Sequence, residues 1–175
     1  LPVARIRAQG AIFIGKTNTP EFGAGSQTYN SLFGTTRNAY NHHLTAGGSS
    51  GGAAVGLAAE LLPTADGSDM MGSLRNPAGF NNVIGFRPSL GRVPSPSNET
   101  SLFYDQLATD GPMGRNTEDT IRLLGTIAGY DSLAPLSLRD EIPAYEAFSP
   151  AALENIRIGW MGDYQGYLPM EPGVA

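Results

Sequence analysis

Two serines lie in glycine-rich frames that suit nucleophilic chemistry. Ser49 stands in Gly47-Gly48-Ser49-Ser50-Gly51-Gly52, and Ser73 in Gly67-Ser68-Asp69-Met70-Met71-Gly72-Ser73-Leu74-Arg75. Glycine has no Cβ, so backbone N–H groups beside it can approach a ligand closely. A nucleophilic serine needs such donors aimed at the charge that develops on the attacked carbonyl. The pair points to a hydrolase whose base is not histidine.

A Ser-His-Asp triad needs a histidine held by an acid. His42 and His43 are adjacent in a polar stretch, and Ser73 is followed by Leu74 and Arg75 rather than by a Gly-x-Ser-x-Gly frame. The two histidines read as loop residues, and without carboxylates at helical spacing they make a poor metal site. Gly47 to Gly52 could open a helix toward an anion. It lacks a Gly-Lys-Ser/Thr ending, and it lacks Gly-x-Gly-x-x-Gly followed by an acidic ribose ligand. A further option is a serine activated through a second serine that passes its proton to a neutral lysine.

Several elements would position these serines. Ala11 to Gly15 reads as a buried strand, followed by a loop from Lys16 to Pro20. Ser26 to Asn41 has no clear periodicity. Gly51 to Leu62 reads as a helix packed closely on a sheet, with Ser49 and Ser50 at its N-terminus. Leu61 to Ala65 reads as a strand leading into the Ser68–Ser73 loop. Asn76 to Asn81 reads as a helical turn with Pro77 near its start, and Val83 to Arg87 as a strand stopped by Pro88. Pro94 to Leu107 reads as a loop. Asn116 or Thr117 caps a helix from Glu118 to about Ala128, with acidic residues in its first turn and Gly129 as its stop. A connector from Ser132 to Pro150 precedes a last strand, Ile156 to Trp160. Short strands alternating with helices imply an α/β architecture.

Composition narrows the function. The chain has 175 residues, of which 41% are hydrophobic and only 15% charged, with a net charge of −5. A globular core follows. No Lys/Arg run is present to neutralise phosphates, which argues against a nucleic-acid partner. Cysteine is absent, which excludes disulfides, thiolate metal sites and cysteine nucleophiles. No apolar run is long enough to cross a bilayer, and a cytoplasmic location is expected. Leu1 to Gln9 reads as the tail of a helix, and the chain reads as a piece of a longer protein.

The two serine motifs, taken with their flanks, resemble the amidase signature family. Those flanks are Gly15-Lys16-Thr17-Asn18 with Glu21-Phe22, Phe33-Gly34 with Arg37-Asn38, and Val83-Ile84-Gly85-Phe86-Arg87-Pro88 with Gly91-Arg92-Val93. Gly111-Pro112-Met113 with Arg115 completes the series, and the resemblance spans roughly Val3 to Tyr130. It implies an α/β/α sandwich with a mixed central sheet, with residues 1–175 forming one partial domain.

It also implies roles. Ser73 would attack an amide carbonyl, and Ser49, joined by a cis peptide bond, would relay the proton. The backbone N–H groups of Met70, Met71, Gly72 and Ser73 would form the oxyanion hole, and Ser50, Asp69 and Arg75 would brace the loop. The catalytic lysine would precede Leu1, leaving this chain nearly inert alone. Lys16, the one lysine present, would be a strand-end cation bonding nearby carbonyls. Met71 stands where the family usually has glycine, and Met70 and Met71 either line the acyl pocket or pack beneath the loop. Gly25 and Ser26 are weaker candidates at the substrate border. The implied substrate is a small-molecule amide, with no metal or organic cofactor and a homodimer as the implied assembly. Implied alternatives are the glutaminase component of a tRNA-dependent amidotransferase and an inactive, truncated amidase-like domain.

Overall fold

The computed structural model describes residues 1–95, 106–141, 156–157 and 159–170. It divides into two units, Leu1–Tyr145 and Glu146–Ala175. The α-helices and strands described in the first unit are α1 (Pro2–Ala8), β1 (Tyr29–Asn30), β2 (Gly34–Thr35), α2 (Gly51–Ala58), β3 (Thr64–Asp69), α3 (Arg75–Phe80), β4 (Ile84–Gly85), β5 (Thr109–Gly114) and α4 (Thr117–Ile127), with a short 3-10 turn at Glu21–Gly23. This is the α/β class expected from the alternation of elements.

The sheet that positions the serines has the order β3-β5-β4, and its strands pair antiparallel. β3 pairs β5 from Thr64 opposite Gly114 to Asp69 opposite Thr109. The central strand, Thr-Asp-Gly-Pro-Met-Gly, carries no sequence signal for a strand. Close packing explains it. A Cβ at Gly111 would lie 2.4 Å from the Phe86 carbonyl oxygen, and one at Gly114 would lie 2.6 Å from Thr120 Oγ1. Glycine is needed where neighbours approach this closely. Met113 faces the main apolar cluster, with Ala53, Ala54 and Leu57 of α2, Ala78 of α3, and Leu74. A second cluster joins Ile6 of α1 to Leu123 and Ile127 of α4 and to Val93.

Several expected elements shift. The strand expected over Leu61 to Ala65 forms later, over Thr64–Asp69, because β5 supplies a continuous hydrogen-bonding partner there. The buried strand expected over Ala11 to Gly15 is absent: no described strand pairs with it, and Ile12 and Ile14 are 88% and 70% exposed. Only Ile84–Gly85 of the Val83–Arg87 run pairs, half-buried. The stretch without periodicity holds a short β1–β2 hairpin, turned by Asn30, whose side chain accepts the N–H groups of Leu32 and Phe33. In the second unit, the described residues of the expected Ile156 to Trp160 strand lie outside any strand, and Trp160 is exposed. Residues 96–105 of the expected loop and 142–150 of the connector lie outside the described residues.

Two helix ends matter for stability. Arg5 of α1 donates to the carbonyls of Ile127, Ala128, Gly129 and Tyr130, satisfying the exposed C-terminal end of α4. At the other end Asn116 is the N-cap, its side chain accepting the Asp119 N–H at 2.8 Å. Asn116→Ala is expected to lower unfolding stability by about 1 kcal/mol, read by urea denaturation; an unchanged midpoint would refute the capping role.

Candidate functional site

Asp69, the last residue of β3, organises the loop that carries Ser73. Its carboxylate is fully buried. Oδ1 accepts the Gly72 N–H at 2.7 Å, and Oδ2 accepts the N–H groups of Leu74 at 3.2 Å and Arg75 at 3.4 Å. The Arg75 guanidinium adds a forked pair, Nε to Oδ2 at 3.0 Å and Nη2 to Oδ1 at 3.1 Å. A buried carboxylate persists only when its oxygens are matched this fully. Burial on its own raises the Asp69 pKa, but the Arg75 side chain and the Gly72 and Leu74 N–H groups outweigh it and hold the group at about 2. The chain between Asp69 and Arg75 is thereby drawn into a tight turn. Gly72 adopts φ +116° there, and a Cβ at that position would lie 2.8 Å from the Asn76 side chain.

The second serine loop is built differently. The Gly48–Ser49 peptide is cis, and Gly47 has φ +72°. Thr28, itself buried, braces this loop: its hydroxyl donates to the Gly47 carbonyl at 2.8 Å and accepts the Gly51 N–H at 3.1 Å. Asn18 closes the far side by accepting the Gly52 N–H through its backbone carbonyl at 3.2 Å. Gly51 and Gly52 have no room for a side chain, since a Cβ would fall 2.3 Å from Thr28 Oγ1 and 2.5 Å from the Asn18 backbone.

One backbone bond brings the two loops together. The Ser50 N–H donates to the Ser73 carbonyl at 3.2 Å. The Ser50 hydroxyl meets the backbone of Ser68 at 3.4–3.5 Å. A Cβ at Gly67 would strike Ser50 Oγ at 2.6 Å. Ser49 is buried and Ser73 half-buried, and neither hydroxyl has a hydrogen-bond partner among the described residues.

The expected donors to an oxyanion divide into two groups. The Gly72 N–H is engaged by Asp69, so Gly72 holds the turn rather than presenting a free donor. The N–H groups of Met70, Met71 and Ser73 have no acceptor among the described residues. Met70 and Met71 are 49% and 85% exposed, which rules out packing beneath the loop. Lys16 is exposed and bonds no carbonyl among the described residues, contrary to its expected strand-end role; the segment before it forms no strand whose carbonyls it could reach. His42 and His43 are exposed loop residues. Gly25 and Ser26 are exposed too, but their segment lies against the site: a Cβ at Gly48 would be 3.0 Å from Ser26 C and 2.8 Å from Gln27 N.

The roles of Thr28 and Arg87 carry no local signal in the sequence. Thr28 sits in a stretch without periodicity, and nothing in its neighbours announces it. Arg87 lies in a motif, but its reach to Asp69 is a matter of tertiary structure.

A family model described as Amidase matches residues 2–175. A glutamyl-tRNA(Gln) amidotransferase subunit from Syntrophobacter fumaroxidans is 40% identical over 175 residues, covering 99% of this chain and 35% of that protein. A bacterial aryl acylamidase of the amidase signature enzymes superposes with a TM-score of 0.76 at 37% identity, covering 81% of this chain and 29% of that one. The corresponding glutamyl-tRNA(Gln) amidotransferase subunit from Thermotoga maritima gives 0.73 at 32% identity, covering 81% and 31%. The chain thus spans about a third of the length of the curated relatives it matches.

The Asp69 cluster makes a pH prediction. Folded Asp69 protonates at about 2, against an ordinary value of 3.8. Its contribution is complete above about pH 4 and is lost as pH falls toward 2. That contribution is on the order of 2 kcal/mol at neutral pH. Urea unfolding followed against pH should show a steeper loss below pH 4 in the wild type than in Asp69→Asn, which starts less stable. Parallel curves would remove Asp69 as the source.

Proposed function

The chain belongs to the amidase signature family, and on that premise we propose that the full-length protein hydrolyses a carboxylic amide. The products are a carboxylate and ammonia or an amine. The observation that carries the reading is the bond between the two serine loops, Ser50 N–H to Ser73 carbonyl at 3.2 Å, beside three unengaged N–H groups.

Ser73 is the nucleophile in this reading. Its Oγ attacks the amide carbonyl while its proton passes to Ser49, which returns a proton to the leaving nitrogen. The N–H groups of Met70, Met71 and Ser73 receive the oxyanion, and Gly72 shapes the turn that exposes them. One such donor typically supplies about 3 kcal/mol of transition-state stabilisation. The acyl-enzyme ester on Ser73 then yields to water by the same relay. The general base, as the family resemblance implies, is a neutral lysine from a part of the protein outside this chain; Lys16 is exposed and bonds to neither serine. Asp69, Arg75 and Ser50 position the loops and take no part in proton transfer. The proposal includes no metal or organic cofactor. Residues 1–175 form part of one catalytic domain, and the protein acts in the cytoplasm as a homodimer.

A second reading is favoured by the names of the relatives: a glutaminase component that releases ammonia for a partner. Met70 and Met71, in place of the Thr-Gly usual for such proteins, weigh against it. Exposed thioethers beside the nucleophile suit an apolar acyl group better than a glutamine side chain. Glutamine-specific ammonia release and copurifying companion proteins would favour the glutaminase; turnover of aryl or aliphatic amides by the protein alone would favour the amidase.

A fluorophosphonate probe tests the shared chemistry. The full-length protein should label at Ser73. Ser73→Ala should abolish labelling, Ser49→Ala should slow it at least about a hundredfold, and Lys16→Ala should leave it largely intact. Labelling should rise from neutral to alkaline pH as the base lysine loses its proton. Persistent labelling of Ser73→Ala would sink the assignment.

A further inference from the structure

We propose that Arg87 is a positioning residue for the nucleophile, holding the Asp69 carboxylate from the sheet side and fixing the Ser73 loop to the ends of three strands. The proposal rests on the reading of Ser73 as the nucleophile.

Asp69 meets two arginines, and they differ in kind. Arg75 belongs to the same loop, so its bonds to Asp69 close a local ring that moves with the loop. Its side chain is also 53% exposed. Arg87 comes from elsewhere, just after β4, and its side chain is 31% exposed. Its Nη1 lies 3.7 Å from Asp69 Oδ1, and its Nη2 donates to the Leu107 carbonyl at 2.8 Å.

The backbone around Arg87 is anchored. The preceding residue, Phe86, donates its N–H to the Pro112 carbonyl of β5 at 3.1 Å. Leu107 lies two residues before β5 begins at Thr109, and Thr109 is the cross-strand partner of Asp69. One guanidinium thus touches the end of β3 and the run-in to β5 from the exit of β4. The guanidinium donates to one group, the Leu107 carbonyl, and sets its charge beside another, the Asp69 carboxylate; a lysine ammonium on its flexible stem is a point charge that serves one of them well.

The Asp69 ring could survive loss of Arg87, since Arg75 and three N–H groups remain. The ring would keep its backbone tie through β3 and the Ser50–Ser73 bond, but its carboxylate would lose the charge that holds it from the exit of β4, and the Ser73 turn built on that carboxylate would be less firmly placed. Misplacing a reacting group by about 1 Å costs on the order of a hundredfold in rate. Arg87 should therefore act on the chemical step and leave substrate binding nearly unchanged.

The test uses the full-length protein, with the rate of fluorophosphonate labelling and with kcat and KM for an amide substrate. Arg87→Ala should lower the labelling rate and kcat about ten- to a hundredfold, with KM changed by less than about twofold. Arg87→Lys should recover part of the loss. In an Asp69→Asn background, Arg87→Ala should add little further loss, because both act through the same contact. Wild-type labelling by Arg87→Ala would overturn the proposal, as would an equal loss in the two backgrounds or a loss confined to KM. If Arg87→Ala does not fold, the same cycle with Arg87→Lys decides by the same criteria. A Ser73→Ala control separates the two levels: labelling there overturns the nucleophile itself, whereas its silence leaves the Arg87 outcome to be read alone.

Discussion

Everything at this site depends on one buried carboxylate. Asp69 ends a strand, and its two oxygens gather N–H groups from Gly72, Leu74 and Arg75 together with the Arg75 guanidinium. An unmatched charge in that position would be costly. The matched one leaves a single geometry for the chain between residues 69 and 75. That geometry turns Ser73 toward the second loop, and it leaves the N–H groups on either side of Gly72 unengaged.

The second constraint is proximity. The two serine loops approach closely because glycines line the contact. Gly67 lets Ser50 reach β3, and Gly51 lets Thr28 reach the helix entrance. The resulting bond from the Ser50 N–H to the Ser73 carbonyl sets the spacing between the loops. Positioning of this kind is worth many kcal/mol in catalysis when the reacting groups are held in line. The glycines thus serve the chemistry indirectly, by removing side chains that would hold the loops apart.

Motifs and caps were legible in the sequence; tertiary pairings were not. The α4 helix follows from Asn116, Glu118 and Asp119 at its start, and the structure places its cap at Asn116. The serine loops stand out by their glycine-rich frames, whereas a brace by Asp69 and Arg75 is implied only by the family resemblance; the structure shows the two side chains hydrogen-bonded. β5 was not readable, because Thr-Asp-Gly-Pro-Met-Gly is chosen for close packing against Phe86 and Thr120 rather than for strand propensity. The apolar run at Ile12–Ile14 misled in the opposite direction: it has strand composition, but no described strand pairs with it. The engagement of the Gly72 N–H by Asp69, and the reach of Arg87, emerge only when distant segments fold together.

In the proposed reaction Ser73 attacks, and the N–H groups of Met70, Met71 and Ser73 receive the oxyanion. A crystal structure of the full-length protein after reaction with a fluorophosphonate tests both halves at once. The expected result is phosphorus bonded to Ser73 Oγ, with the phosphoryl oxygen within about 3 Å of those N–H groups and the Gly72 N–H still on Asp69. Phosphorus on another residue, or a phosphoryl oxygen turned away from all three donors, would rule out this reaction geometry.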